Sequence, residues 1–275
     1  MKAEPLPAPA VNRLIDALPR SERTRLLAAC ESVDLRFAQV LCDAGQPLDH
    51  LHFPTTGFLS LITPVPGHHG LEVAMVGNES AAGLSLVLGQ ARSPLRLLVQ
   101  GAGSALRIAA PALRLEMQRS ATLRGLLERS IAALLTRTAR MAACTRFHLV
   151  EERLARWLLT SQDCANSAQL HVTHEFLAYM LGVRRAGITK AATALQERQL
   201  IRYHRGAVTI LDRGGLEAVS CGCYQADRAD MLAALGPDEP GHTPGYAVPA
   251  EPAATRYAPK KRSISAEASG PFGSV

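Results

Sequence analysis

Between Arg184 and Arg198 the side chains sort by the turn of an α-helix. Ile188, Ala191, Ala192 and Leu195 recur at three- and four-residue spacing and predict a buried stripe. At 100° per residue the opposite side carries Ala186, Thr189, Lys190 and Thr193, with Arg185 at its edge and Arg184 opening the helix. Small residues at 186 and 187 let this face approach a surface closely, and cations and hydroxyls project beyond them. In the major groove of DNA, Arg or Lys donates to the guanine acceptors and Thr meets a thymine methyl, so this is a face suited to reading base edges.

The neighbouring segments supply what such a helix needs to be held. Thr173 is a helix N-cap type, and Glu175 falls in the first turn, where a carboxylate meets the positive end of the helix dipole. Phe176, Leu177, Met180 and Leu181 form that helix's apolar stripe, and Gly182 permits the left-handed backbone of a tight turn into the next helix. This is a helix-turn-helix pattern. After Leu200, Ile201 to His204 and Ala207 to Leu211 alternate about Arg205-Gly206 and predict a two-stranded wing, on which Arg202 and Arg205 are placed to reach phosphate. His171 to Arg213 holds seven Lys or Arg against three Asp or Glu, a local charge of +4. The whole chain carries +6, so most of the excess sits in one small module.

Upstream the patterning changes twice. Glycines at 45, 57, 67, 70, 77, 83, 89, 101 and 103 separate short period-two runs such as Leu71, Val73, Met75 and Leu95, Leu97, Val99. They predict a β-barrel or sandwich preceded by a short helix, Leu14 to Cys30, broken near Pro19. From Pro111 onward no glycine follows Gly125 until Gly182. Leu127, Ile131, Leu134, Thr138, Met141 and Thr145 repeat at four-three spacing, a seam that fits either a partner helix in a dimer or a helix lying on its own barrel. A kink is expected near Phe147 and His148, before a further helix marked by Val150, Leu154, Trp157 and Leu158.

With these segments in this order, the sequence resembles the transcription regulators of the Crp/Fnr superfamily over roughly Leu14 to Tyr224, and Leu181-Gly182-Val183-Arg184-Arg185-Ala186-Gly187-Ile188-Thr189-Lys190 is similar to their recognition segment. The resemblance implies an α+β fold: an N-terminal antiparallel β-roll of the cyclic-nucleotide-binding type (residues 11–110), a dimerisation helix (111–146) and a C-terminal winged helix-turn-helix (147–224). It implies a homodimer that binds double-stranded DNA, contacts RNA polymerase and answers to an effector. Arg185 and Lys190 take two base-reading positions and Thr189 a polar one. Ala186 falls where a glutamate is usual, which predicts a half-site other than the family's commonest. Arg184, Thr193, Arg202 and Arg205 complete the expected DNA-binding set.

The same resemblance implies where an effector would sit. Nucleotide-binding members carry Gly-Glu, whose glutamate holds a ribose hydroxyl, and then Arg-Ser or Arg-Thr, whose arginine pairs the cyclic phosphate. Here Gly83-Leu84 and Arg92-Ser93 occupy those places, so the phosphate half is kept and the sugar half lost, and Pro94 removes a backbone donor beside them. A degenerate pocket for an unknown effector is expected. Cys30 and Cys42 are too few for the iron–sulfur cluster of oxygen-sensing relatives. Cys221-Gly222-Cys223 with His204 is a weak metal pattern, and His68-His69 reads as a hairpin turn; no metal or cofactor is indicated. His50 and His52 flank Leu51 and read as a half-buried strand.

Composition bounds the rest. A chain of 275 residues, 47% hydrophobic and 20% charged, can build one large or two modest domains, and a pI near 9.2 favours a polyanionic partner. The longest uncharged stretch, Phe53 to Leu71, is broken by Pro54, Pro64 and Pro66 and cannot cross a membrane as a helix. Without an export-type N-terminus a cytoplasmic protein with reduced thiols is expected, and the preference for Arg over Lys suggests a GC-rich bacterial genome. No G-x-S-x-G, P-loop or H-E-x-x-H pattern is present, so an enzyme is not expected. Residues 236–275 hold seven of the 17 prolines and few large apolar side chains, which predicts a disordered tail with a solvated Pro259-Lys260-Lys261-Arg262 run.

Overall fold

The computed structural model describes residues 12–165 and 169–236, apart from the side chains of His68 and His69. The expected tail, 236–275, lies outside these residues from position 237 on. Two short helices, α1 (Arg13–Asp16) and α2 (Arg20–Ala28), precede the roll. Asn12 caps α1 by accepting from the Leu14 N–H at 3.0 Å, and its amide donates to the carbonyls of Pro54 and Ser80. The break before α2 falls at Pro19, where the sequence places it.

Five antiparallel strands form the roll: β1 (Glu31–Leu35), β2 (Val40–Cys42), β3 (His50–Val65), β4 (His68–Val76) and β5 (Arg96–Ala109). They run in the order β1, β5, β3, β4, and β2 also pairs with β5. β3 and β5 cross at close quarters: a Cβ at Gly57 would stand 2.3 Å from the Gly101 carbonyl, and Gly57 has φ of +71°. Only glycine fits both the contact and the backbone. The hairpin joining β3 to β4 turns at Pro66-Gly67, before the expected His68-His69, which instead open β4. Leu51, Phe53, Leu59, Val99, Ala105 and Ile108 are fully enclosed in the roll core.

The helix expected over 111–146 is two helices. α3 (Ala110–Arg119) stops at Ser120, whose extended backbone (φ −134°) cannot continue a helix and whose hydroxyl caps α4 (Ala121–Phe147) by accepting from the Leu123 N–H at 2.8 Å. The four-three seam turns out to face largely inward. Leu127 is fully buried in the roll core, Ile131 and Leu134 pack against it, and the exposed apolar line of α4 is Ala132, Leu135, Ala139 and Ala142. The alternative of a helix lying on its own barrel therefore describes the first half of the seam, because apolar side chains at 127, 131 and 134 find a partner in the roll itself.

The chain bends at His148 and Leu149 into α5 (Val150–Ala165), then β6 (Gln169–His171), α6 (His174–Leu181), α7 (Arg185–Glu197), β7 (Ile201–His204), β8 (Ala207–Ile210), α8 (Arg213–Val219) and α9 (Cys223–Leu235). The wing is three-stranded, with β6 pairing β8 on the side away from β7. A second core forms where Leu154, Leu158, Leu177, Ile188, Leu195 and Leu216 meet, and Phe58, Ile62 and Met75 of the roll join it. α9 runs back along α4: Asp227 and Asp230 pair with Arg140, Met231 meets Arg137, and the Ala234 carbonyl accepts from Arg129. None of the helices among the described residues is long and apolar enough to cross a membrane.

Candidate nucleic-acid interface and sensor cavity

The recognition segment is built by local rules before any tertiary contact acts. Thr173 Oγ1 accepts from the Phe176 N–H at 3.1 Å and starts α6, and Gly182 ends it in the left-handed conformation, φ +63°. A Cβ there would also stand 2.7 Å from Leu71 of the roll, so the turn is pressed against β4. Ile188, Ala191, Ala192 and Leu195 then anchor α7 from beneath. Arg184, Arg185, Ala186, Thr189, Lys190 and Thr193 are all exposed, along one side of the helix. Gly187 lies among them, and a Cβ there would meet nothing within 4 Å beyond its chain neighbours and the backbone of its own helix.

The wing adds two more cations beside that face. Arg205 and Gly206 have φ of +47° and +81°, the paired positive values of a two-residue type I′ hairpin turn, which holds Arg205 at the tip while Arg202 is exposed on β7. Of the seven cations counted in the module, Arg198 pairs with Glu151 at 3.2 Å and Arg213 with Asp163 and Glu217 at 2.8 and 3.0 Å. Arg184, Arg185, Lys190, Arg202 and Arg205 have no acidic partner within 4.0 Å among the described residues. The five sequence-expected cations are the ones left facing solvent.

Two residues that the sequence reading passed over support this face. His174 stacks on Tyr203 of β7, ring centroids 4.2 Å apart, and its Nδ1 lies 3.1 Å from Thr189 Oγ1. Thr189 also lies 3.2 Å from the Arg185 carbonyl. When the single hydroxyl proton goes to that carbonyl, His174 must donate from Nδ1, which leaves Nε2 bare, and Nε2 is indeed buried without a partner. Burial, then the neighbouring Arg185 charge, lowers the His174 pKa and keeps the ring neutral. Wing, α6 and α7 are thus tied at Thr189. A histidine one residue after a cap carries no distinctive spacing, which is why it was not legible.

The expected effector residues come only partly together. Gly83, Leu84 and Ser93 line an open cavity of about 170 Å³, together with Leu88, Leu95 and Leu97 and with Ile131 and Leu134 of α4. Arg92 is not in that lining; it is exposed and donates to the Gly45 carbonyl at 2.7 Å. The Ser93 hydroxyl donates to the Leu95 carbonyl at 2.6 Å and its N–H to the Gln46 carbonyl at 3.0 Å. The Arg-Ser pair that survives in the sequence thus has these donors turned onto the chain's own carbonyls, and the cavity beside it is apolar.

Among metal-type residues, Cys221 and Cys223 meet Cys144 and His148 rather than His204, the four ligand atoms lying within 4.8 Å of one another. His50 and His52 sit on β3 with rings 6.2 Å apart, and neither joins a grouping of three or more ligand-type side chains among the described residues. His52 is enclosed, and burial, with His50 and Arg107 nearby, pushes its pKa down to about 4.

An exposed, cation-bearing helix on a winged helix-turn-helix, joined by a long helix to a β-roll, defines a class of DNA-binding regulator folds. Within that class, residues 152–219 match the Crp-like helix-turn-helix domain, and the chain has the fold of the Crp/Fnr regulators. A transcriptional regulator of the Crp/Fnr family from Eubacterium rectale aligns with a TM-score of 0.59 and 18% identity, over 75% of this chain and 96% of that one. FixK2 from Bradyrhizobium japonicum aligns with a TM-score of 0.59 and 12% identity, over 70% and 98%. The c-di-GMP responsive global regulator CLP of Xanthomonas campestris gives 0.56 and 19%, over 70% and 99%. No curated protein sequence matches the chain significantly.

Proposed function

We propose that this protein is a cytoplasmic, non-enzymatic transcription regulator that binds double-stranded DNA as a homodimer. The observation that carries the proposal is the exposed, unpaired polar side of α7 with Arg202 and Arg205 beside it. Arg185, Thr189, Lys190 and Thr193 read base edges, Arg184 stands at the helix start, and Arg202 and Arg205 hold phosphate. Residues 11–110 act as sensor, 111–146 as the dimerisation segment and 147–224 as the DNA-binding unit. The exposed line Ala132, Leu135, Ala139 and Ala142 supports a helix partner on α4, and two-fold pairing predicts a near-palindromic operator with half-sites about one helical turn apart. RNA polymerase is the expected protein partner.

The sensor pocket is degenerate for nucleotides. Its apolar lining and about 170 Å³ volume support an effector without a phosphate, held against Ile131 and Leu134, so that occupancy bears directly on α4. The test is a gel shift with genomic fragments at two salt concentrations. Arg185→Ala should relax choice at one base position, whereas Arg205→Ala should weaken all sequences alike and flatten the salt dependence. Equal effects of both variants on random and selected DNA would overturn the base-reading assignment.

A further inference from the structure

We propose that Cys144, His148, Cys221 and Cys223 form a binding site for one zinc-type divalent ion at the junction between α4 and the DNA-binding unit. Cys144 lies on the last turn of α4, and His148 caps that helix, its N–H donating to the Cys144 carbonyl at 3.1 Å. Cys221 and Cys223 flank Gly222 at the start of α9. The three thiols are buried and form a small core of their own, while the half-exposed imidazole leaves a path from solvent.

The spacing decides between packing, a disulfide, a cluster and a single ion. Cys144 Sγ stands 3.6 Å from Cys221 Sγ, and Cys223 Sγ stands 3.6 Å from His148 Nδ1. A disulfide requires about 2.05 Å. Thiolates at about 2.3 Å from one tetrahedral zinc lie about 3.8 Å apart, and a nitrogen at about 2.0 Å lies slightly closer to each sulfur. All four ligand atoms fall within 4.8 Å of one another, compact enough for one centre and too compact for thiolates divided among several irons. Cysteines serving only as core filler have no reason to turn their sulfurs toward one another and toward an imidazole nitrogen.

The surroundings suit the charge of such a centre. Three thiolates and a dication leave one net negative charge, and Arg153 and Arg156 of α5 line the same cavity of about 30 Å³ as Cys144. Asp227, four residues into α9, is held by Arg140 and lies 3.6 Å from Arg156. The ligands come from both sides of the bend at His148 and Leu149. The ion would therefore fix α9 to the end of α4 and limit how the helix-turn-helix swings about that bend.

The test uses the full chain, stripped with a chelator under a thiol reductant and titrated with cobalt(II). One cobalt per chain is expected, with the visible bands of a tetrahedral site and thiolate-to-metal charge transfer, both erased by added zinc. Cys223→Ser and His148→Ala should each weaken uptake on the order of 100-fold, while Cys30→Ser should leave it unchanged. Should those variants fail to fold, alkylation of the wild-type chain decides: zinc should protect Cys144, Cys221 and Cys223 and leave Cys30 as reactive as before. Octahedral cobalt, uptake unaffected by the variants, or the same alkylation pattern with and without zinc would overturn the proposal. No DNA enters these measurements, so their outcome is independent of the DNA-binding reading.

Discussion

Two groups of arginines do opposite work in this molecule. Arg184, Arg185, Arg202 and Arg205 stand in solvent without acidic partners among the described residues, on a helix and wing whose apolar sides are fully used. Arg137, Arg140, Arg153 and Arg156 lie buried or nearly so between the roll, α4, α5 and α9. Arg140 pairs with Asp227 and Asp230, and Arg137 and Arg153 donate to the Met75 and Leu181 carbonyls. A net charge of +6 therefore says little about where a polyanion would bind. What marks the surface for it is an exposed cation left without an acidic partner.

The comparison is broken most severely on the buried side. Asp227→Ala leaves Arg140 and Arg156 enclosed with a missing carboxylate and should lower stability by about 3–5 kcal/mol in urea unfolding. Arg202→Ala, which removes an exposed cation, should change stability by no more than about 0.5 kcal/mol in the same experiment. Equal losses would erase the distinction.

A buried carboxylate in the same region sharpens it. Glu72 of β4 accepts from Trp157 Nε1 of α5 at 2.9 Å and from the Ser60 hydroxyl at 2.5 Å. Burial pushes its pKa up to about 7, against those hydrogen bonds and the charges of Arg156 and Arg137, which pull it down. A carboxyl raised in the folded state contributes stability that is complete below its ordinary pKa near 4.5 and is lost as pH rises through about 7. Urea midpoints from pH 5 to pH 8 should carry this decline, and Glu72→Gln should remove it. The exposed arginine variants should leave it in place.

Smaller effects are expected on the exposed side. Arg185→Ala should cost about 1–3 kcal/mol of discrimination at one base pair, read by competition between single-base operator variants. Arg205→Ala should reduce the slope of log affinity against log salt by about 1 and leave base choice intact. Thr173→Ala removes only the cap of α6 and should lower stability by about 1 kcal/mol.

How much of this was legible in the sequence followed the range over which each pattern acts. Thr173, Gly182 and the stripe Ile188, Ala191, Ala192, Leu195 are local signals, and the helices they predict are present with the expected side exposed. β6 was not legible because three residues are too few to show alternation. α9 was not legible because its buried side includes Tyr224 and Asp227, so the apolar period of a packed helix is missing. The break at Ser120 depends on a capping hydrogen bond that composition does not reveal. The thiol and imidazole grouping joins 144 and 148 to 221 and 223, and only the run of α9 back along α4 closes that separation. In the roll, Arg92-Ser93 was legible as a pair, but the carbonyls of Gly45, Gln46 and Leu95 that take up its donors belong to the fold.

The most direct measurement places a photo-cross-linking side chain at Ala186, on the exposed side of α7, and maps its adducts on a bound operator duplex. A control carries the same group at Ala28, exposed on α2. Adducts to bases within each half-site from position 186, and none from position 28, are the predicted result. Base adducts of equal yield from both positions, or none from 186 while the duplex remains bound, would contradict the placement of α7 in the groove.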